Sequence, residues 1–300
     1  MPHPQVIGIG AATRDHLCLV SAFPDQEGVQ QAQARFSTGG GPVATALAVI
    51  SSLGTSSALL DIQGDDATGQ DIRSELESFG VDTRFIRIHP GARSPEATIL
   101  VRQADGARAI VFTPTSAGEL SPEDLPASLF ENARLLHING RHETACFRGI
   151  ELAKKHDVTV SFDGGAGRFR GEASEAMVAA SQICIVARSF AREFCGSDDL
   201  STQARALRHS GTQILIITDG AAGSHVCNAK GDSFHQPAFK ASPLIDTTGC
   251  GDVYHGAFLH HWLENRDLRA ASAFASELAA KNAEGLGGRF ALQRAEDTPK

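Results

Sequence analysis

Short aliphatic runs that alternate with helix-length segments constrain this chain more than any other feature. Val6-Ile7-Gly8-Ile9 reads as a strand, and Pro42 to Leu53 as a helix with proline near its start and Gly54 after its end. The punctuation recurs. Ala58-Leu59-Leu60 precedes a helix over Thr68 to Phe79 stopped by Gly80, Leu135 to Ile138 precedes one near Glu143 to Lys155, and Val158 to Phe162 precedes one near Glu172 to Ala180. Further strands are expected at Ile183 to Val186 and Ile214 to Thr218, with a late helix around Ala275 to Gly285. Strand-then-helix repetition predicts an α/β fold whose mostly parallel central sheet is covered on both faces. Two regions break the rhythm, roughly 14–38 and 94–113. In the second, Ala97 to Arg102 and Ala107 to Phe112 flank Ala104-Asp105-Gly106 as a hairpin would. They form either a small separate sheet or edge hairpins on the main one. With 42% hydrophobic residues, 300 positions suit one main domain carrying such an appendage.

The chemistry points to Asp246-Thr247-Thr248-Gly249-Cys250-Gly251-Asp252, followed by Val253-Tyr254-His255-Gly256-Ala257-Phe258. Two glycines free the backbone for a tight turn, and the apolar run after them reads as a helix. A turn entering a helix offers bare amides and a positive dipole end to an anion, while Asp252 can take a proton from an adjacent alcohol. That arrangement suits phosphoryl transfer, with Asp252 as base and Gly249, Cys250 and Gly251 as the anion cradle.

These residues resemble the C-terminal signature of the ribokinase-like (PfkB) carbohydrate kinases, DTTGAGD followed by GAF, with Cys250 in place of the usual alanine. The resemblance implies a three-layer α/β/α ribokinase-like fold, a single kinase domain over 1–300, and a β-sheet lid built from about 14–38 and 94–113. It also implies ATP with Mg²⁺, a potassium ion in several members, and a homodimer formed through the lid.

Family order assigns the remaining candidates. Asp15 matches an aspartate that binds sugar hydroxyls. Gly39-Gly40-Gly41-Pro42-Val43-Ala44-Thr45 resembles the N-terminal GGNxxNxA signature, so Gly40, Gly41 and Thr45 fall at the sugar, although Pro42 and Thr45 replace both asparagines. Arg141 matches an arginine that reaches the far end of the substrate. Thr218-Asp219-Gly220-Ala221-Ala222-Gly223 resembles a TxGxxG turn beside the nucleotide, which places Thr218, Gly220 and Gly223 there; Ala279 and Asn282 match positions lining the adenine pocket. Asp246 and Thr248 match residues that place a monovalent cation. Where relatives carry NxxE to hold Mg²⁺ through water, this chain has Ala187 and Phe190, and Asp163 is the nearby substitute.

Other classes are excluded or disfavoured. Gly8-Ile9-Gly10 lacks the third glycine of a dinucleotide fingerprint, and no GxxxxGK[ST] loop exists. A formal charge of -8 with scattered Lys and Arg gives no field for nucleic acid or an acidic membrane. Six cysteines lie without CxxC pairs or metal spacing, no apolar run reaches bilayer length, and the start lacks a secretory signal, so the chain reads as cytosolic with reduced thiols. The histidines, His137, His142, His260 and His261 among them, lack companion motifs and read as surface or helix-face residues. The polar tail after Gln293 reads as loose.

The match runs nearly the whole chain and is nearest the sulfofructose kinases, with ketohexokinases further away, through Gly39 to Thr45, Gly64 to Gly69, Gln236 to Lys240 and Gly287 to Arg289. A lysine and an asparagine that grip the sulfonate there are replaced by Val29 and Phe112, which disfavours a charged substrate. The expected reaction is phosphorylation of a primary hydroxyl on a ketohexose-like sugar. The alternatives are a nucleoside kinase of the same superfamily and a sugar-binding pseudokinase without turnover.

Overall fold

The computed structural model describes residues 3–293. The polar tail lies outside them. The chain runs β1 (Val6–Ile9), β2 (Thr13–Val20), β3 (Ala34–Gly40), α1 (Pro42–Ser52), β4 (Ser57–Gly64), α2 (Ala67–Ser78), β5 (Val81–Asp82), β6 (Ile86–His89), β7 (Glu96–Arg102) and β8 (Arg108–Thr113). It continues through β9 (Leu135–Ile138), α3 (Glu143–Lys155), β10 (Thr159–Gly164), α4 (Glu172–Ala180), β11 (Ile183–Ala187), α5 (Arg188–Cys195), α6 (Leu200–Ala206) and β12 (Ile214–Thr218). β13 (Ser224–Asn228), β14 (Ser233–Gln236), α7 (Cys250–Asn265) and α8 (Leu268–Asn282) complete it.

The large sheet has the order β14-β13-β12-β11-β10-β9-β1-β4-β5, with β6 also paired to β4. Neighbours from β4 to β12 run parallel, and β13 and β14 form an antiparallel edge. Period-two alternation divides each strand between two cores. Ile7, Ile9, Leu136, Ile138, Phe162, Leu215 and Ile217 face α3 to α6, while Val6, Leu59, Leu135, Ile183, Ile185 and Ile216 face α1, α2, α7 and α8. Strands buried on both faces therefore read as continuous aliphatic runs. Asp66, Asp199 and Asp267 accept backbone N–H bonds at the starts of α2, α6 and α8.

A separate sheet of order β3-β2-β7-β8 takes up both regions that break the rhythm, though 21–33 carries no strand. β2 pairs antiparallel with β3 and parallel with β7, and β7–β8 is the expected hairpin. Cross-strand registers align Thr38, Asp15, Ala97 and Phe112 in one row and Phe36, Leu17, Ile99 and Ile110 in the next. Leu17, Ala97, Ile99 and Val101 pack with Phe36 and Leu286, so this face turns toward the C-terminal segment.

Candidate active site

Parallel strands put their carboxyl ends, and the loops leaving them, along one edge, which is where open α/β sheets bind ligands. Asn139, Asp163, Ala187 and Thr218 all lie at such ends.

The glycine-rich turn closes onto α7. Gly249 has φ +70°, and a Cβ there would stand 2.5 Å from Gly288 Cα, so only glycine fits. At Gly251 a Cβ would meet nothing within 4 Å, leaving open space above the helix start. The N–H groups of Gly251 and Asp252 have no acceptor among the described residues; that of Cys250 is aimed 3.4 Å away at Thr247 O. Of the three amides expected to face an anion, Gly249 N–H and Gly251 N–H meet no acceptor among the described residues, and the turn partly engages that of Cys250. The Cys250 side chain lies 3.9 Å from Asn282, and burial pushes its thiol up to about 12, which keeps it protonated.

Two buried residues hold the turn. Asp246 Oδ1 accepts from Thr248 N at 2.8 Å and Oδ2 from Gly287 N at 2.9 Å. Asn282 donates to Thr248 O at 3.0 Å and accepts from Ala291 N at 3.1 Å. Its carboxamide supports the turn, a role that family order did not reveal. Thr248 Oγ1 is buried with no partner beside Asp246.

Asp252 stands in the first turn of α7, half-buried. Burial pushes its carboxyl up to about 6; Arg168 and Arg108 pull it down, while Asp163 and Asp15 push the same way as burial. This carboxyl therefore sits within reach of two guanidiniums that sequence reasoning did not single out. Arg168 is paired to Asp163 Oδ2 at 3.0 Å. Arg108, on the small sheet, donates to Thr247 Oγ1 at 2.9 Å, and Thr247 in turn bonds Gly106 O. The tip of the β7–β8 hairpin is thereby joined to the anion turn.

Asp15 is buried on β2, takes a 2.6 Å bond from Thr13 Oγ1, and is pushed above the usual carboxylate range by burial. Gly40 permits that packing, since a Cβ would fall 2.0 Å from Asp15 Oδ2. Gly41, at φ +87°, lies against Ala11 O. Thr45 is placed differently from expectation: its hydroxyl accepts from the fully buried Arg289 at 3.3 Å. Arg289 also bonds Gly40 O at 2.9 Å and Glu75 at 3.2 Å, and Glu75 takes Gly39 N, Thr38 Oγ1 and Arg14. The pair locks α1, α2 and β3 together. The Gly287-Gly288-Arg289 run was visible in the sequence, but not its partner 214 positions away.

Arg141 follows β9, with its amide on Asn139 Oδ1 at 3.1 Å and its guanidinium paired to Glu119. Glu119 meets His142 Nδ1 at 2.8 Å, and His142 Nε2 meets Asp61 Oδ1 at 2.8 Å. Arg141 is thus charge-compensated and held in a chain of polar groups, and His142, expected at the surface, is fully enclosed.

A cavity of about 290 Å³ is lined by Ala187, Arg188, Ser189, Arg192, Thr218, Asp219 and Gly220, with Arg188 bonded to Asp219 at 2.5 Å. It brings Thr218 and Gly220 together. Gly223 instead fits under Gln236 O, where a Cβ would fall 2.2 Å away, and Ala279 is half-buried on α8 outside this cavity. Phe190 is enclosed by Phe162, Phe169 and Phe194, so positions 187 and 190 offer no side-chain oxygen to a divalent cation. No described helix is long and apolar enough to cross a membrane.

The family model described as pfkB family carbohydrate kinase matches residues 4–295. An ATP-dependent ribose-1-phosphate kinase from Halopiger xanaduensis is 27% identical over 96% of this chain and 94% of its own. A fructokinase from Solanum tuberosum is 30% identical over 80% and 77%. Among solved structures, ribokinase from Giardia lamblia superposes with a TM-score of 0.83 at 20% identity, covering 98% of this chain and 97% of its own. Arabidopsis thaliana ribokinase, complexed with ribose and ATP, gives 0.80 at 19%, covering 97% and 96%. A glycine-rich turn with a carboxyl at its helix start, in a mostly parallel sheet accompanied by a small second sheet, agrees with that match along the whole chain: the protein belongs to the pfkB family of carbohydrate kinases.

Proposed function

We propose that this chain transfers the ATP γ-phosphoryl group to a primary hydroxyl of an uncharged, ketohexose-like sugar, with Asp252 as the general base. The observation that carries the reading is a carboxyl raised to about 6 at the foot of a helix whose first amides face open space. A base with that value is ionised at neutral pH yet basic enough to draw a proton from an alcohol in the transition state. Gly251 N–H and Asp252 N–H, with Arg168 and Arg108, stabilise the transferring group electrostatically. Gly249 keeps the turn tight, and Cys250 contributes packing more than charge.

Asp15, at the junction of the two sheets, accepts sugar hydroxyls beside the bare backbone of Gly40 and Gly41. Thr45 acts through Arg289 as a positioning group. ATP lies from the turn toward Thr218 and Gly220, with Gly223, Ala279 and Asn282 shaping the elements around it. Mg²⁺ supplies neutralisation of phosphate charge when bound, and the aromatic packing of Phe190 leaves it no ligand at that position. Thr248 Oγ1, buried and unpartnered beside Asp246, supports a monovalent cation there.

An uncharged substrate follows from the far end. Arg141 already faces Glu119, so a second anion would have to displace that carboxylate or be buried without a partner. Val29 is fully exposed, and Phe112 stands in the row that contains Asp15. The same strand supports a second reading, a nucleoside kinase, because Phe112 and Ile110 on β8 offer apolar surface suited to a base. A homodimer through the small sheet is supported by β8, whose outer edge is unpaired and whose Ile110, Val111 and Phe112 are all exposed.

A panel of ketoses, aldoses, sulfonated and phosphorylated sugars and nucleosides, assayed for ADP release with Mg·ATP, tests the assignment. An uncharged ketose is expected to give the highest kcat/KM. Turnover confined to anionic sugars would overturn the substrate class, and turnover confined to nucleosides would favour the second reading.

A further inference from the structure

Where β9, β10 and α7 meet, three buried polar side chains converge, and one nitrogen on each of the two histidines lacks the partner that burial normally demands. His137 on β9, Asp163 on β10 and His255 on α7 each present one ligand atom, and these atoms all lie within 4.8 Å of one another. We propose that they form a binding site for a divalent transition-metal ion of the zinc or cobalt type.

The geometry is largely set. Two ligands on one tetrahedral ion with bonds of ~2.0–2.1 Å stand roughly 3.4 Å apart. His255 Nε2 is already 3.7 Å from Asp163 Oδ1, so the third group, within 4.8 Å of both, needs to close by at most about 1.4 Å. The outer atoms of His137 and Asp163 are engaged as in metal sites, where a second bond orients a ligand. His137 Nδ1 meets Ser161 Oγ at 3.3 Å, which leaves Nε2 to face inward with a lone pair, and Asp163 Oδ2 is held by Arg168, which leaves Oδ1 free.

The orphaned atoms supply the second argument. Among the described residues, completely buried His137 Nε2 has no hydrogen-bond partner, and His255 Nδ1 has none either. Leaving buried polar atoms unsatisfied is unfavourable, and a bound cation removes that penalty at His137. Two imidazoles with one carboxylate select zinc, cobalt or nickel over magnesium, which prefers an all-oxygen shell. This site is therefore separate in chemistry from the metal that accompanies ATP. His255 lies one turn beyond Asp252 on α7, so the ion would sit next to the proposed base. Its uptake is expected to inhibit phosphoryl transfer, a consequence that rests on the kinase reading; the binding itself does not.

Chelator-treated protein titrated with Co²⁺ tests the site. The expected result is a visible d–d band that saturates at one equivalent, is bleached by Zn²⁺ and is insensitive to excess Mg²⁺. The band should vanish in His137→Gln and His255→Gln variants that keep the parent far-UV circular dichroism. Zn²⁺ should also raise the thermal midpoint of the unmodified protein. Absence of the Co²⁺ band, absence of the Zn²⁺ midpoint rise in the parent, or a band that survives in either folded variant would overturn the proposal. Failure to phosphorylate any sugar while the band persists would sink the kinase reading alone.

Discussion

Replacing Asp252 with asparagine separates the base from everything else the turn does, because the amide keeps the shape and loses the charge. A general base contributes on the order of 10²- to 10⁴-fold to a proton transfer, so kcat should fall by at least about a hundredfold with little change in sugar affinity. Stability should move the other way. Burial lifts the carboxyl from 3.8 to about 6, a rise of roughly two units at ~1.4 kcal/mol each, and partial exposure brings the penalty at neutral pH to on the order of 1–3 kcal/mol. The sign follows from proton counting. Between about pH 4 and 6 the folded protein holds a proton that the unfolded chain has released, so stability falls as pH rises through that window. The asparagine variant escapes this loss. Its thermal midpoint should exceed the parent's by a few degrees at pH 8 and match it near pH 3.5, if the fold persists there. In the parent, kcat/KM should drop about tenfold between pH 7 and pH 5, the limb set by a base near 6. Activity within a few-fold of the parent, or a stability gain confined to acid, would refute the assignment.

Arg168→Met should shift the acid limb of the parent profile to higher pH, because this guanidinium is the strongest positive charge holding Asp252 down; an unchanged or lowered limb in a pH-rate series would count against it. Gly251→Ala should leave the thermal midpoint unchanged yet cut turnover at least tenfold, since the methyl enters only open space, where the proposed reaction puts the phosphate. Gly249→Ala, by contrast, should lower the midpoint, because its methyl meets Gly288 backbone at positive φ. Equal stability for the two alanine variants would contradict the reading. Arg289→Met leaves Glu75 without its buried partner and should cost about 3 kcal/mol in urea unfolding, with a neutral result arguing against the Arg289–Glu75 pair as a structural lock.

The parts legible in the sequence were those encoded locally. Aliphatic runs such as Ile214 to Thr218 announced strands buried on both faces, and Gly106 between two β-branched runs announced the hairpin. The Gly249-Cys250-Gly251-Asp252 turn was readable because its conformation and its chemistry reside in consecutive residues. What escaped was non-local. Nothing near Arg289 tells that its charge is met by Glu75, nor does the stretch around His137 disclose Asp163 and His255 on two other elements. Arg108 looks like an exposed strand residue until the hairpin folds over and reaches Thr247. β5, β6, β13 and β14 are too short or too polar to stand out, and Ser233 to Gln236 becomes a strand only by pairing with β13. Asn282 was picked for its place in a family pattern, while its backbone partners make it a clamp on the turn.

Incubation of the intact protein with Mg·ATP and fructose, followed by mass analysis of the sugar, tests the central claim most directly. The expected product is a sugar bearing one added phosphoryl group, formed with stoichiometric ADP and absent with Asp252→Asn. ADP formed at the same rate without any sugar, or a phosphorylated sugar produced equally by the asparagine variant, would contradict it.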